Sequence, residues 1–304
     1  MRFDRRRFAW FLLLVSPAMF SVNILAARYA VFVPPNALAL GRWAFVALFL
    51  LPFAWKGLST HRDALWREWP DLLLLGALGM WICGAWVYIG ARTTSALNIG
   101  LIYAASPILV VVLGRIIDKE PLSMARTSGI ALCLAGVAAV FAKGRLDNLL
   151  AVRFTTGDLW VIGGSASWGL YSVLLKLRPS RFDPMTRLCA VAFAGCAVLI
   201  PFTIGESLFW AAPDLGDWRL WITWLVMAVV PGVGAYTAYS FCIQELGPSR
   251  TSISLYLGPP YVGLMAWAAL GEAPQWYHLI GIALVLPGLF LATRPSVRRV
   301  AKGA

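Results

Sequence analysis

One stretch of this chain occurs twice. Displaced by 152 residues against the rest, Ser95–Ala142 sets Pro107 on Pro259, Glu120 on Glu272, Gly129 on Gly281 and Gly136 on Gly288 without a gap. Upstream the match continues with small slips: Pro35 faces Pro184 and Pro52 faces Pro201 at 149, and Asn23 faces Tyr171 at 148. A tandem repeat of roughly 145–150 residues constrains the fold before any other feature does, because each half must adopt a structure the other can also adopt.

What each half contains is a series of apolar runs. With 60% hydrophobic residues, 13% charged and a mean hydropathy of +0.74, the chain lies outside the range of water-soluble domains. The runs recur at about 20 residues, the length at which a helix crosses about 30 Å of hydrocarbon. They fall at 8–27, 36–55, 71–90, 96–117, 123–142, 158–177, 185–205, 218–243, 249–270 and 277–293. A β-barrel would instead show alternating segments of about ten residues. The expected fold is therefore an all-α integral membrane protein with ten transmembrane helices. Five crossings are an odd number, so the second copy is turned over: two inverted five-helix repeats, 1–142 and 158–294, joined by a linker at 143–157 and followed by a tail at 295–304.

Charge orients this arrangement. The net charge of +12 is dispersed among loops beside hydrophobic spans, which points to a positive-inside bias and away from nucleic acid. With the N-terminus inside, 19 Lys and Arg fall on the inner side and five on the outer, so both termini are expected in the cytoplasm. The basic start Arg5-Arg6-Arg7 before Phe8–Val15 has the form of a signal peptide. Cleavage there would leave span 6 without its repeat partner, so it reads as span 1. Cys83, Cys133, Cys189, Cys196 and Cys242 all lie inside apolar runs without a C-x-x-C pair and read as packing residues. His61 and His278 fall on opposite sides of the membrane and share no site. No metal or cofactor motif is present, nor a convergent catalytic group.

Polar and helix-breaking residues within the spans mark the candidate site. Asn23 in span 1 and Tyr171 in span 6 occupy corresponding places and both offer hydrogen bonds; Trp168 stands one turn before Tyr171. Arg42 in span 2 either faces a partner or wet cavity, or snorkels to the outer headgroups about 9 Å away. Spans 3 and 8 are aromatic-rich, with Tyr88 in one and Tyr236 and Tyr239 in the other, and Pro231-Gly232 predicts a kink in span 8. Spans 4 and 9 carry the strongest pair: Ser106-Pro107 and Gly258-Pro259-Pro260, each preceded by a tyrosine, Tyr103 and Tyr256. Paired interrupted spans at matching positions are a pointer to a midplane binding site. Glu120 and Glu272 lie at helix ends and read as caps of the following helices. Gly129, Gly136, Gly281 and Gly288 fall on one face of spans 5 and 10, which suits packing within the chain or a homodimer.

Together these stretches resemble the EamA-type ten-helix branch of the drug/metabolite transporter superfamily. The resemblance rests on the proline of spans 4 and 9, Glu120 and Glu272 before the last helix of each half, P-x-x-L-A-L-x-R at 35–42 and W-G-x-Y at 168–171. Span 1 departs from the usual W-G-x-N, with Phe20-Ser21-Val22-Asn23, so the asparagine is kept and the tryptophan is not. The resemblance implies a bacterial inner-membrane carrier that exports small metabolites by alternating access, with no cofactor. Amino acids or related compounds are the leading substrate class; a multidrug or organic-cation exporter is the alternative, and an integral-membrane enzyme a distant third. The residues expected to meet substrate are Asn23, Arg42, Tyr88, Tyr103, Ser106, Pro107, Trp168, Tyr171, Tyr239, Tyr256 and Pro259.

Overall fold

The computed structural model describes residues 4–94, 99, 102, 103, 110, 111, 113, 116, 123–142, 147, 155–270 and 276–293. Most of predicted span 4, including Ser106 and Pro107, lies outside these residues, as do Glu120 and Glu272. The described elements are helical: α1 (Arg5–Tyr29), α2 (Pro35–Thr60), α3 (Arg62–Gly90), α4 (Met124–Phe141), α5 (Thr156–Leu177), α6 (Pro184–Phe209), α7 (Trp218–Leu246), α8 (Pro248–Ile253), α9 (Gly258–Leu270) and α10 (Trp276–Thr293). In α1 the stretch Arg5–Ala27, and in α2, α3, α6 and α7 the whole helix, is long and apolar enough to cross a membrane. Their outward faces leave Phe11, Leu48, Phe53 and Leu208 exposed, a surface suited to lipid.

Two helices depart from α geometry at matching depths. Ala77–Ala85 in α3 and Ala228–Ala235 in α7 are π-helical. The second contains Pro231-Gly232, where a kink was expected; proline lacks the N–H that a tighter ladder needs. The first holds no proline, and the sequence predicts no irregularity there. Carbonyls within this wider turn take side-chain donors from other helices: Ser167 Oγ donates to Leu78 O at 2.8 Å, and Tyr236 Oη to Gly79 O at 3.0 Å. Predicted span 9 is likewise interrupted. The 3-10 turn Ser254–Leu257 separates α8 from α9, whose second and third residues are Pro259 and Pro260. Proline is tolerated in a first turn, where its missing N–H would have had no intrahelical partner. Gly247, at φ 88°, takes the left-handed turn from α7 into α8.

Two antiparallel pairs frame the molecule. In the first, α2 runs along α6: Gly57 near the end of α2 meets Thr186 near the start of α6, and Glu206 near the end of α6 meets the start of α2. The apolar run at 185–205 stops one residue short of Glu206, yet Glu206 belongs to α6 and is buried. Its Oε2 accepts from the N–H groups of Asn36 and Ala37 at 2.9 and 3.0 Å, and its Oε1 from Asn36 Nδ2 at 3.1 Å. A carboxylate from one helix thus caps another, satisfying donors that α2 cannot satisfy itself. In the second pair, Gly129 and Gly136 of α4 meet Gly288 and Gly281 of α10, so these glycine faces are in use within one chain.

The remaining helices close around these pairs. A large apolar core joins α2, α3, α5, α6 and α7, while a smaller one gathers Leu13, Cys133, Cys242, Tyr256 and Val285. Asp158 completes a capping box with Thr155 at the start of α5 and also accepts from Thr94 Oγ1 beyond the end of α3.

Candidate functional site

The interior of the larger core is polar at one point. Arg42 is only 2% exposed, so the snorkelling reading fails: its side chain turns inward from α2. Its Nη1 donates to Asn23 Oδ1 at 3.0 Å and to Tyr88 Oη at 2.9 Å, and Tyr88 Oη in turn donates to Asn23 Oδ1 at 2.9 Å. Three helices, α1, α2 and α3, thereby share one closed triangle of hydrogen bonds. The guanidinium carbon also lies 4.7 Å from the Trp43 ring centre and 5.7 Å from that of Tyr236.

The magnitudes show what this arrangement leaves undone. A charged side chain at membrane depth costs about 2.5–3.5 kcal/mol on insertion scales. Hydrogen bonds to a charged group contribute roughly 1.5–3 kcal/mol each, and a desolvated cation–π contact about 2. Arg42 is therefore held in place by neutral partners, but its charge is not cancelled. Among the described residues it has no carboxylate partner. Among the described residues its Nε and the indole Nε1 of Trp43 are buried donors without acceptors. The site is rich in donors and positive.

Aromatic rings form the walls. Tyr236 packs edge-on against Trp43 at 4.7 Å and Trp168 at 5.3 Å; Trp168 stacks on Tyr171 at 5.5 Å and lies 4.9 Å from Tyr239; Phe20 closes over Trp168, Tyr236 and Tyr239 at 5.4–5.7 Å. Close approach at the glycines makes this packing feasible. A Cβ on Gly41 would lie 2.0 Å from the Trp224 ring, and one on Gly79 would lie 2.8 Å from that of Tyr171. Tyr103 Oη is 3.6 Å from Cys83 Sγ, on the π-helical stretch of α3.

Of the residues expected at the site, the fold brings Asn23, Arg42 and Tyr88 into direct contact and joins Trp168, Tyr171 and Tyr239 to them through the aromatic wall; Tyr103 reaches Cys83. Tyr256 is not among them. It packs in the smaller core with α1 and α10, its hydroxyl buried there without a partner among the described residues, so its equivalence to Tyr103 in the repeat does not extend to a shared site. Pro259 lies in the first turn of α9, and the Pro259 side chain is outside the described residues, as are Ser106 and Pro107. Sequence reasoning omitted Trp43, Phe20 and Tyr236 from the site. Tyr236 had a signal, since it lies three residues before Tyr239 on one helix face.

A buried cation ringed by aromatic rings and an amide, inside a bundle with a lipid-suited exterior, defines a class: a helical membrane protein with a polar, charged point in its interior. Comparison specifies it. The EamA-like transporter family matches residues 7–142 and again 155–294, and the chain belongs to that family. Relatives include the uncharacterized transporter YyaM of Bacillus subtilis (strain 168), 26% identical over 88% of this chain and 87% of its own. An uncharacterized transporter of Archaeoglobus fulgidus is 26% identical over 85% and 88%. A probable terminal-alkyne amino-acid exporter of Streptantibioticus cattleyicolor is 24% identical over 77% and 76%. A solved crystal structure superposes with a TM-score of 0.74 over 96% of this chain and 97% of the other at 19% identity, which supports the fold. The protein is a multi-pass membrane transporter.

Proposed function

We propose that this transporter exports small carboxylate-bearing metabolites, amino acids or related compounds first among them, by alternating access of two inverted five-helix repeats. In this reading the repeats span 1–142 and 158–294, the linker is 143–157, and both termini lie in the cytoplasm of a bacterium, with the transporter in its inner membrane. The observation that carries the substrate class is Arg42: a buried cation with neutral partners and a spare Nε donor suits a carboxylate. Asn23 and Tyr88 fix the guanidinium's orientation, and Trp43, Tyr236, Trp168, Tyr171 and Tyr239 offer an apolar wall to the rest of the molecule. The amino-acid exporter among the relatives supports the same direction.

The organic-cation alternative draws on the same aromatic rings. Arg42 already lies over Trp43 and Tyr236, so a cationic substrate would meet a like charge at the faces best placed to receive it.

The test is counterflow in proteoliposomes preloaded with a panel of amino acids, nucleobases and lipophilic cations. Exchange of an amino acid by the wild type, with at least a tenfold loss of kcat/KM in Arg42→Gln, is the expected result. Undiminished exchange of every carboxylate by that variant would remove the assigned role of Arg42. Movement of cations alone would replace this proposal with the drug-export one.

A further inference from the structure

The helix α3 is longer than hydrocarbon requires. Its 29 residues, Arg62–Gly90, extend about 43 Å at about 1.5 Å per residue, against a hydrocarbon thickness of about 30 Å. Residues 72–90 contain no Asp, Glu, Lys or Arg and account for about 28 Å of that length. Arg62, Asp63, Arg67, Glu68 and Asp71 all precede them, so this end of α3 stands among the lipid headgroups.

The helical turn sorts the side chains at this end. Arg62, Trp66 and Trp69 fall within about 60° of one another around the axis, opposite the buried Ala64 and Leu75. Trp66 is 82% exposed and Trp69 54%, and Arg62 is exposed with them. The carboxylates are engaged elsewhere. Asp63 pairs with Arg181 at 3.0 Å and Asp71 with Arg178 at 3.1 Å, while Glu68 accepts from Ser180 Oγ at 2.6 Å and Arg181 N at 3.1 Å. All three thus turn to the connection between α5 and α6. Arg67 stands four residues from both Asp63 and Asp71, on their side of the helix. Across the turn at His61, α2 runs antiparallel to α3, as the bond between Arg42 and Tyr88 shows. Exposed Lys56 lies five residues before that turn and Trp66 five after it, so the two share a depth. Among the described residues neither Lys56 nor Arg62 has a carboxylate partner.

We infer that the face formed by Arg62, Trp66 and Trp69, together with Lys56, binds the headgroup of an anionic phospholipid. The Arg62 guanidinium offers paired donors to a phosphate, and Lys56 adds a point charge at the same depth. The two indoles suit the boundary below it, with an apolar ring for the upper acyl chain and an N–H for the wet side. Charge complementarity selects the lipid. Phosphatidylcholine carries its own cation beside the phosphate and cancels the attraction, whereas phosphatidylglycerol keeps a net negative charge. Placement of the site in the cytoplasmic leaflet rests on the orientation proposed above; the site itself rests on its own geometry.

The test is intact-complex mass spectrometry of the full-length protein in detergent, titrated with dioleoyl phosphatidylglycerol or dioleoyl phosphatidylcholine. The wild type is expected to bind the first phosphatidylglycerol more tightly than phosphatidylcholine. Arg62→Gln should weaken phosphatidylglycerol about fivefold and the double variant Lys56→Gln/Arg62→Gln at least about tenfold, the scale of one and two cations at a membrane surface. Neither should alter phosphatidylcholine. Arg67→Gln removes the same charge from the other side of α3 and is expected to change affinity less than about twofold. Equal losses from Arg62→Gln and Arg67→Gln would reduce the effect to net charge and overturn the site. Displacement of the lipid by glycerol phosphate would assign the face to a soluble anion, and a doubled protein mass in place of lipid adducts would assign it to a second copy; either overturns the inference. If Arg62→Gln fails to fold, the wild type decides alone: equal affinity for the two lipids refutes the site, and a preference for phosphatidylglycerol that glycerol phosphate leaves intact supports it. None of these readouts needs transport, so failed counterflow would sink the export proposal and leave this result standing.

Discussion

The contact of α4 with α10 allows a prediction in which one chemical change has opposite effects at two positions. A Cβ on Gly129 would lie 2.4 Å from Ala292 N and 2.5 Å from Gly288 O. Both are backbone atoms, so no side chain can turn aside. Reaching an ordinary contact of 3.4 Å requires the helices to part by about 1 Å. A gap of that order forfeits roughly a quarter to a half of each dispersion well along the seam, and overpacking of this kind costs about 1–3 kcal/mol. Gly205 lies within α6 with no atom of the described residues within 4 Å of its would-be Cβ. There alanine only removes the helix penalty of glycine, worth about 0.8–1 kcal/mol. Thermal unfolding of the purified protein in detergent, followed by tryptophan fluorescence, is the assay. Gly129→Ala is expected to melt several degrees below the wild type and Gly205→Ala slightly above it. If Gly129→Ala melts at or above Gly205→Ala, the direct backbone contact of α4 with α10 is wrong.

Three further outcomes are expected. Glu206→Gln exchanges a charge-assisted cap on α2 for a neutral one and loses about 1–3 kcal/mol, with Glu206→Ala losing more; equal melting of all three proteins would remove the cap from the account. Tyr236→Phe keeps the ring beneath Arg42 but leaves Gly79 O without its donor, so thermal stability falls by about 1–2 kcal/mol, and a neutral result would mean that the π-helical turn finds another partner. At Asp183, partial burial works to raise the carboxyl, but the Thr186 hydroxyl at 2.5 Å and the amides of Met185 and Thr186 outweigh it and hold it below its usual range. A depressed carboxyl stabilises above its unfolded value, about 3.9, and loses that stabilisation as pH falls through the folded value. The melting difference between wild type and Asp183→Asn, which keeps the cap and removes the charge, is about 0.3–1 kcal/mol at neutral pH and should therefore close below about pH 4; a constant difference across that window would count against the charged cap.

What the sequence could reveal about the site follows from what a repeat encodes. Equivalent positions share a depth in the bundle, so Asn23, Arg42, Tyr88 and Tyr171 were legible as polar groups at internal levels of apolar runs. Depth does not specify azimuth. Tyr103 and Tyr256 share a level, yet one reaches Cys83 and the other packs into a different core. Trp43 and Phe20 were hidden because an aromatic ring in an apolar run carries the same signal whether it packs against lipid, core or substrate. Glu206 fell outside its apolar run for a related reason: hydropathy ends a span at a charge, whereas this one is held inside by partners about 170 residues away in sequence. The π-helical turn of α3 left no trace, since its carbonyls are satisfied by Ser167 and Tyr236, far along the chain, and no proline marks it.

The cap that Glu206 places on α2 sets an order of events during synthesis. The carboxylate and the amide it serves are 170 residues apart. At about 5–20 residues per second, roughly 8–34 seconds pass between the translation of Asn36 and that of Glu206. Throughout that interval the N–H groups of Asn36 and Ala37 lack the carboxylate that caps them in the folded protein. The first half of the nascent chain thus reaches the bilayer with one helix unfinished, and the second half completes it on arrival.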